Sequence, residues 1–97
     1  MGRDRGRQGG RGRGGRVNPA KQRSLVELVD IVARALVDKP EEVEAVARGP
    51  RIELAVAGDD IGKVIGKEGR TAQSIRVLLS AAASKLGAGR AYLDILD

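Results

Sequence analysis

The sequence predicts an α+β fold, with helices packed on one face of a three-stranded sheet, formed by residues 24–97 of the 97-residue chain. Three observations point to it. Apolar residues begin in earnest at Leu25, and two long stretches carry them at helical spacing. Three shorter stretches alternate apolar and polar residues, as half-buried strands do. Glycine pairs and a Gly-Pro step punctuate the places where the chain must change direction. A domain of this size buries only a small core but can fold alone.

The elements follow in order. Ser24-Leu25-Val26-Glu27 has the form of a capping box, in which serine and glutamate satisfy the first free amides of a helix. Leu25, Leu28, Val29, Val32 and Leu36 then share one face, and Asp38-Lys39-Pro40 stops the helix, because the residue before proline is pushed out of helical geometry. The first helix is predicted over 25–38. Val43 to Arg48 alternates weakly and Arg51 to Ala57 clearly, with Ile52, Leu54 and Val56 on one side and Gly49-Pro50 as the turn between them. Gly58-Asp59-Asp60 closes the second strand and offers a cap for a short helix over 60–65. After Gly66-Lys67-Glu68-Gly69 a long helix is predicted over 70–86, its buried stripe being Ala72, Ile75, Leu78, Leu79, Ala82 and Leu86. Gly87-Ala88-Gly89 breaks it. Arg90 to Leu96 is the last strand, with Ala91, Leu93 and Ile95 inward and Tyr92 read as a sheet-surface residue, the alternative being a base stacker.

The charge is divided unevenly. Residues 1–23 hold eight basic side chains against Asp4 alone, a net +7, whereas residues 24–97 hold ten basic and twelve acidic ones, a net −2. Residues 1–23 therefore read as a disordered Gly/Arg-rich basic tail. Seven of the 14 glycines lie in the first 15 residues, and no apolar groups are present to offset the entropy of ordering them. Arg3, Arg5, Arg7, Arg11, Arg13 and Arg16 are candidate auxiliary nucleic-acid contacts, since guanidinium groups pair with phosphate and stack on bases without a fixed frame.

Several function classes are excluded. With Tyr92 as the one aromatic residue, a reader that stacks bases on several rings is ruled out, so a single-strand binder must rely on an aliphatic groove and the backbone. The chain has no cysteine and no histidine, which removes disulfides, thiol chemistry, Cys/His zinc sites and the commonest general base. Asp59-Asp60 reads as a helix cap rather than a metal pair, and no enzyme activity or cofactor is expected. No apolar run is long enough to span a bilayer and no apolar segment follows the basic N-terminus, so the expected location is the cytoplasm.

The stretch Ile61-Gly62-Lys63-Val64-Ile65-Gly66-Lys67-Glu68-Gly69-Arg70-Thr71 carries the chemistry. Two glycines at a helix–turn–helix junction let the chain turn abruptly and let a phosphate approach unhindered. Amides opening the next helix favour anions. Lys67, Arg70 and Lys63 add positive charge. Of Val64 and Ile65, at least one is expected in the core and the other in the floor of a groove. Gly62 inside a short helix costs stability relative to alanine. A close approach by backbone, by a neighbouring helix or by RNA would account for it.

This stretch resembles the core of a KH domain, and the helix–strand–strand–helix–helix–strand order is similar to the type II topology. Residues 24–97 as a whole resemble the small bacterial KhpA-like RNA-binding proteins. The resemblance implies a cleft around the GxxG loop that clamps about four nucleotides of single-stranded RNA, formed by Ile61 to Arg70. It also implies homodimerisation, pairing with a larger KH/R3H-type (KhpB-like) protein, and a role in RNA chaperoning and cell-envelope or cell-shape control. Ala72 stands where KH domains usually carry a larger aliphatic residue, and Glu68 places an acid in the loop beside Lys67. Val77, Ala81 and Ser84 form a second stripe on the long helix and are candidates for a dimer surface. Two functions compete: a KH cleft that holds RNA, and a KH-fold dimerisation module whose Gly/Arg tail makes most of the nucleic-acid contact.

Overall fold

A computed structural model describes residues 18–97 of the chain. The first helix, α1 (Pro19–Leu36), begins earlier than the sequence suggested. Asn18 is its N-cap, with Oδ1 accepting the amides of Ala20 at 3.0 Å and Lys21 at 3.2 Å. Pro19 fills the first helical position, where its missing N–H costs nothing. Ser24 and Glu27 therefore lie inside the helix, and the expected boundary between tail and domain at Arg23 falls within α1. The remainder of the expected tail, residues 1–17, lies outside the described residues. The helix ends two residues short of the expected 38, with the Val37 amide closing on the Ala33 carbonyl. A short 3-10 turn over Pro40–Glu42 leads to the sheet.

Strand β1 (Glu44–Arg48) pairs antiparallel with β2 (Arg51–Ala55), with Arg48 opposite Arg51 and Ala45 opposite Leu54. Gly49, at φ +60, makes the turn between them. Strand β3 (Tyr92–Ile95) pairs parallel with β2, with Ile52 opposite Leu93, so the sheet order is β1-β2-β3. A parallel neighbour requires a crossover. Here the crossover is helix α2 (Ile61–Ile65), the Gly66–Gly69 turn and helix α3 (Arg70–Leu86).

The core lies between one face of the sheet and the helices. Ile52, Leu54 and Leu93 meet Leu25, Val29 and Ala33 of α1, Val64 of α2, and Ile75, Leu79 and Ala83 of α3. The other sheet face is charged. Arg48 and Arg51 pair with Glu53 at 2.9 and 3.8 Å, and Arg51 reaches Asp94 at 3.7 Å.

The limits of α3 agree with expectation, but its stripe does not. The buried positions are Ala72, Ile75, Leu79 and Ala83, whereas Leu78 is 52% exposed and Leu86 38%. Leu78 sits about 100° around the helix from Leu79, outside the strip that one sheet face can cover. On α1, similarly, Ala33 is fully buried and Leu36 is exposed. Gly87, at φ +66, ends α3 with the Schellman pattern: its amide and that of Ala88 close on the carbonyls of Ser84 and Ala83.

Candidate nucleic-acid interface

Ala57 is buried at the end of the β2 segment, and a 3-10 turn over Gly58–Asp60 leads into α2. Asp60 is not the helix cap the sequence suggested, for its side chain makes no cap hydrogen bond to α2. It is 1% exposed and reaches backwards, where Oδ2 accepts the Lys39 amide at 3.0 Å. Lys63, one turn on, lies 3.5 Å from Asp60 and 3.3 Å from Asp38. Burial pushes the Asp60 carboxyl up. The amides of Lys39 and Asp38 and the Lys63 ammonium outweigh it and hold the group below the ordinary aspartate value of 3.8. The hydrogen bond and charge of Asp38, helped by Asp60, lift Lys63 above its ordinary 10.5 despite partial burial. The knot ties the C-terminal end of α1 to α2. The sequence reading assigned Lys63 to the nucleic-acid face and missed its acidic partners, because Asp38 is 25 residues away in the chain and Asp60 was read as a helix cap.

The helix pair then turns. The Gly66 amide closes on the Gly62 carbonyl at 2.8 Å, and Gly66 leaves helical geometry at φ +78, ψ 172. The Gly69 amide returns to the Gly66 carbonyl at 3.1 Å, and the Arg70 amide to that of Lys67. Those two amides are spent inside the turn, so the helix start presents fewer free donors than the sequence suggested. Glu68 (φ 58, ψ 26) and Gly69 (φ 74, ψ 12) both occupy the left-handed region.

The two glycines are needed for different reasons. A Cβ on Gly66 would meet the Thr71 side chain and lie 2.8 Å from its amide nitrogen, so the space is already filled. A Cβ on Gly69 would meet nothing within 4 Å. Only its backbone conformation calls for glycine, and the space in front of it is open.

The predicted site residues divide accordingly. Val64 is fully buried and belongs to the core, as does Ala72 at 3% exposure. Ile65 is exposed beside the turn, and Ile61 is half-buried. Gly62 faces solvent with nothing within 4 Å of a would-be Cβ, so no neighbour in the described chain requires it to be small. Arg70 pairs with Glu68 at 3.2 Å on the surface. Lys67 is exposed and forms no ion pair among the described residues. Gly62, Ile65, Lys67 and Arg70 are thus exposed around the turn and Gly69 is half-buried, while Lys63 pairs with its two acids.

Val77, Ala81 and Ser84 are exposed along α3. The tail arginines lie outside the described residues, but their point of attachment does not. Gln22 Nε2 donates to the Gly49 carbonyl, and Lys21 Nζ lies 3.6 Å from where a Gly87 Cβ would sit. The start of α1 is therefore beside the β1–β2 turn and the end of α3, at the pole opposite the Gly66–Gly69 turn. Among the described residues no three carboxylates gather as a metal site, and no helix is long and apolar enough to cross a membrane.

Comparison with known proteins agrees with this architecture. The family model for the KhpA/KhpB KH domain matches residues 26–95. The RNA-binding protein KhpA of Borreliella burgdorferi is 43% identical over 76 residues, covering 74% of this chain and 92% of its own. The protein of the same name from Treponema pallidum is 47% identical over 76 residues, covering 73% and 92%. That of Caldanaerobacter subterraneus is 56% identical over 63 residues, covering 61% and 84%. No solved structure matches the chain at comparable significance. The α2–GxxG–α3 crossover, the β1-β2-β3 sheet and the match over residues 26–95 together place the chain in the KhpA/KhpB KH-domain family.

Proposed function

We propose that the chain is a non-catalytic RNA-binding protein that holds about four nucleotides of single-stranded RNA against the α2–Gly66–Gly69–α3 junction. The observation that carries this reading is the open space before Gly69, a glycine that no neighbour among the described residues requires to be small, flanked by Lys67, which forms no ion pair among the described residues. A phosphate can approach the backbone there, with Lys67 beside it and Arg70 released from Glu68 as the anion arrives. Gly62 and Ile65 offer an aliphatic floor on the same side. Gly62 would then be kept because a base or ribose passes over it. Lys63 acts at one remove, holding α2 to the end of α1.

The tail arginines Arg3, Arg5, Arg7, Arg11, Arg13 and Arg16 add a salt-sensitive, sequence-independent contribution. Val77, Ala81 and Ser84 form the surface for a second copy or for a KhpB-like partner, a pairing that the joint naming of the family supports. Action in the cytoplasm as an RNA chaperone or regulator, with effects on the cell envelope, completes the proposal.

The competing reading, in which the tail makes the nucleic-acid contact and the KH fold only dimerises, is favoured by the net −2 charge of residues 24–97. Binding of a labelled single-stranded RNA, followed by anisotropy at several salt concentrations, separates the two. A chain beginning at Val17, which keeps the Asn18 cap, retains measurable affinity with a shallower salt dependence if the cleft is the clamp. Loss of all binding in that shortened chain supports the tail instead.

A further inference from the structure

Among the described residues β1 pairs only with β2, so one side of its backbone meets no other strand. Natural sheets blunt such an edge with proline, a central charge or a bulge. Strand β1 has none of these. Its middle is Ala45-Val46-Ala47, and its five pairs with β2 run without interruption. Which backbone groups face outward follows from the hairpin. Gly49-Pro50 is a two-residue loop, so Arg48 and Arg51 form the closing hydrogen-bonded pair. Bonded and non-bonded pairs then alternate, which turns the backbone groups of Glu44 and Val46 toward β2 and those of Ala45 and Ala47 away from it. The far side of β2 agrees. The Leu54 carbonyl, opposite Ala45 in register, accepts the Leu96 amide at 2.9 Å and so faces β3 rather than β1.

The edge is complementary to itself. Glu44, Val46 and Arg48 are exposed on the charged face of the sheet, whereas Ala45 and Ala47 are half-buried on the helical face. A second copy laid antiparallel along β1 can pair only where outward backbone groups meet outward backbone groups. With Val46 opposite Val46 of the second copy, Ala45 meets Ala47 twice through N–H···O bonds, and Glu44 meets Arg48 twice. A shift of two residues in one direction sets Val46 against Glu44, and in the other against Arg48. Charge and apolar contact therefore select a single register. Both charged groups have capacity for it. Glu44 forms no ion pair among the described residues. Arg48 gives Nε to Glu53 at 2.9 Å, and its two terminal nitrogens make no hydrogen bond among the described residues.

We propose that two copies of the chain join edge to edge through β1 in this register, continuing one sheet into the other. The two-fold axis then stands perpendicular to the sheet, so the helices of both copies lie on the same side of it. Both Gly66–Gly69 turns belong to that side, and a long strand held at one is presented to the other at raised effective concentration. The pairing itself does not rest on the chain binding RNA. It assigns the second copy to β1 and leaves Val77, Ala81 and Ser84 of α3 to a partner of another kind.

The chain has no cysteine, so Val46→Cys introduces a single thiol. The full-length variant is expected to form a disulfide-linked dimer under mild oxidation, because directly opposed residues bring their Cβ atoms within bridging reach. Val77→Cys, on the α3 surface, is expected to remain unlinked in the same conditions. Sedimentation equilibrium supplies a second readout. Glu44→Arg and Arg48→Glu are each expected to weaken self-association about tenfold, by setting like charges opposite each other across the join. An equimolar mixture of the two variants is expected to associate as the parent does, since opposite charges then meet again. A parent chain that stays monomeric overturns the inference, as does a dimer that neither substitution weakens or that the mixture fails to restore. Linkage of Val77→Cys equal to or greater than that of Val46→Cys also overturns it. None of these results bears on whether RNA binds at the turn.

Discussion

Gly66 and Gly69 look alike in the sequence but are held by different constraints. Gly66→Ala drives a Cβ into Thr71 and strains a backbone at φ +78, whereas Gly69→Ala meets open space and costs only the left-handed conformation, roughly 1–2 kcal/mol. Urea unfolding should show Gly66→Ala at least twice as destabilising as Gly69→Ala, and RNA affinity should fall in both. Asp60 supplies a second test at this scale. Its carboxyl lies below 3.8 in the folded chain, so the charge contributes stability that is fully present above pH 4 or so and is lost as pH falls through the folded value. Asp60→Asn should therefore lower the melting temperature at pH 7, with the difference from the parent shrinking toward pH 3. A difference that is constant from pH 7 to pH 3 would show that shape rather than charge matters there. Of these residues, the glycines were legible because only backbone freedom explains two of them at a helix junction. The roles of Asp60 and Lys63 were not, because both depend on the end of α1, more than 20 residues away in the chain.

Among the elements, α3 shows what periodicity can and cannot reveal. Its ends were legible because glycine flanks it on both sides and no competing stop lies between. Its buried stripe was not, because Leu78 and Leu79 are equally apolar and only the position of the sheet decides between them. Leu79→Ala is expected to cost about 2–5 kcal/mol and Leu78→Ala less than about 0.5 kcal/mol, read from the denaturant midpoints of the two variants. For α1 two start signals competed, Ser24-x-x-Glu27 and Asn18-Pro19. The second prevails, and the extra turn lets Lys21 and Gln22 of α1 reach the Gly87 and Gly49 segments. The strands were legible in type and order, although each is one to three residues shorter than its alternation suggested, since pairing ends where a partner strand ends.

The whole molecule has two poles. One is the Gly66–Gly69 turn, braced by the Asp38–Asp60–Lys63 knot. The other gathers the start of α1, the β1–β2 turn and the end of α3. The basic composition of the chain pointed to nucleic acid but not to a place, because most of the excess charge lies before Asn18 and the folded part is mildly acidic. The place proposed for it is the Gly66–Gly69 turn, around which Gly62, Ile65, Lys67 and Arg70 are exposed. The most direct measurement is photocrosslinking of single-stranded RNA to the full-length chain, with the crosslinked peptides mapped by mass spectrometry. Crosslinks within residues 62–70 are the expected result, and they should disappear in the Lys67→Asp, Gly69→Asp double variant. Crosslinks confined to residues 1–17, unchanged in the double variant, would contradict the assignment of the clamp to the turn.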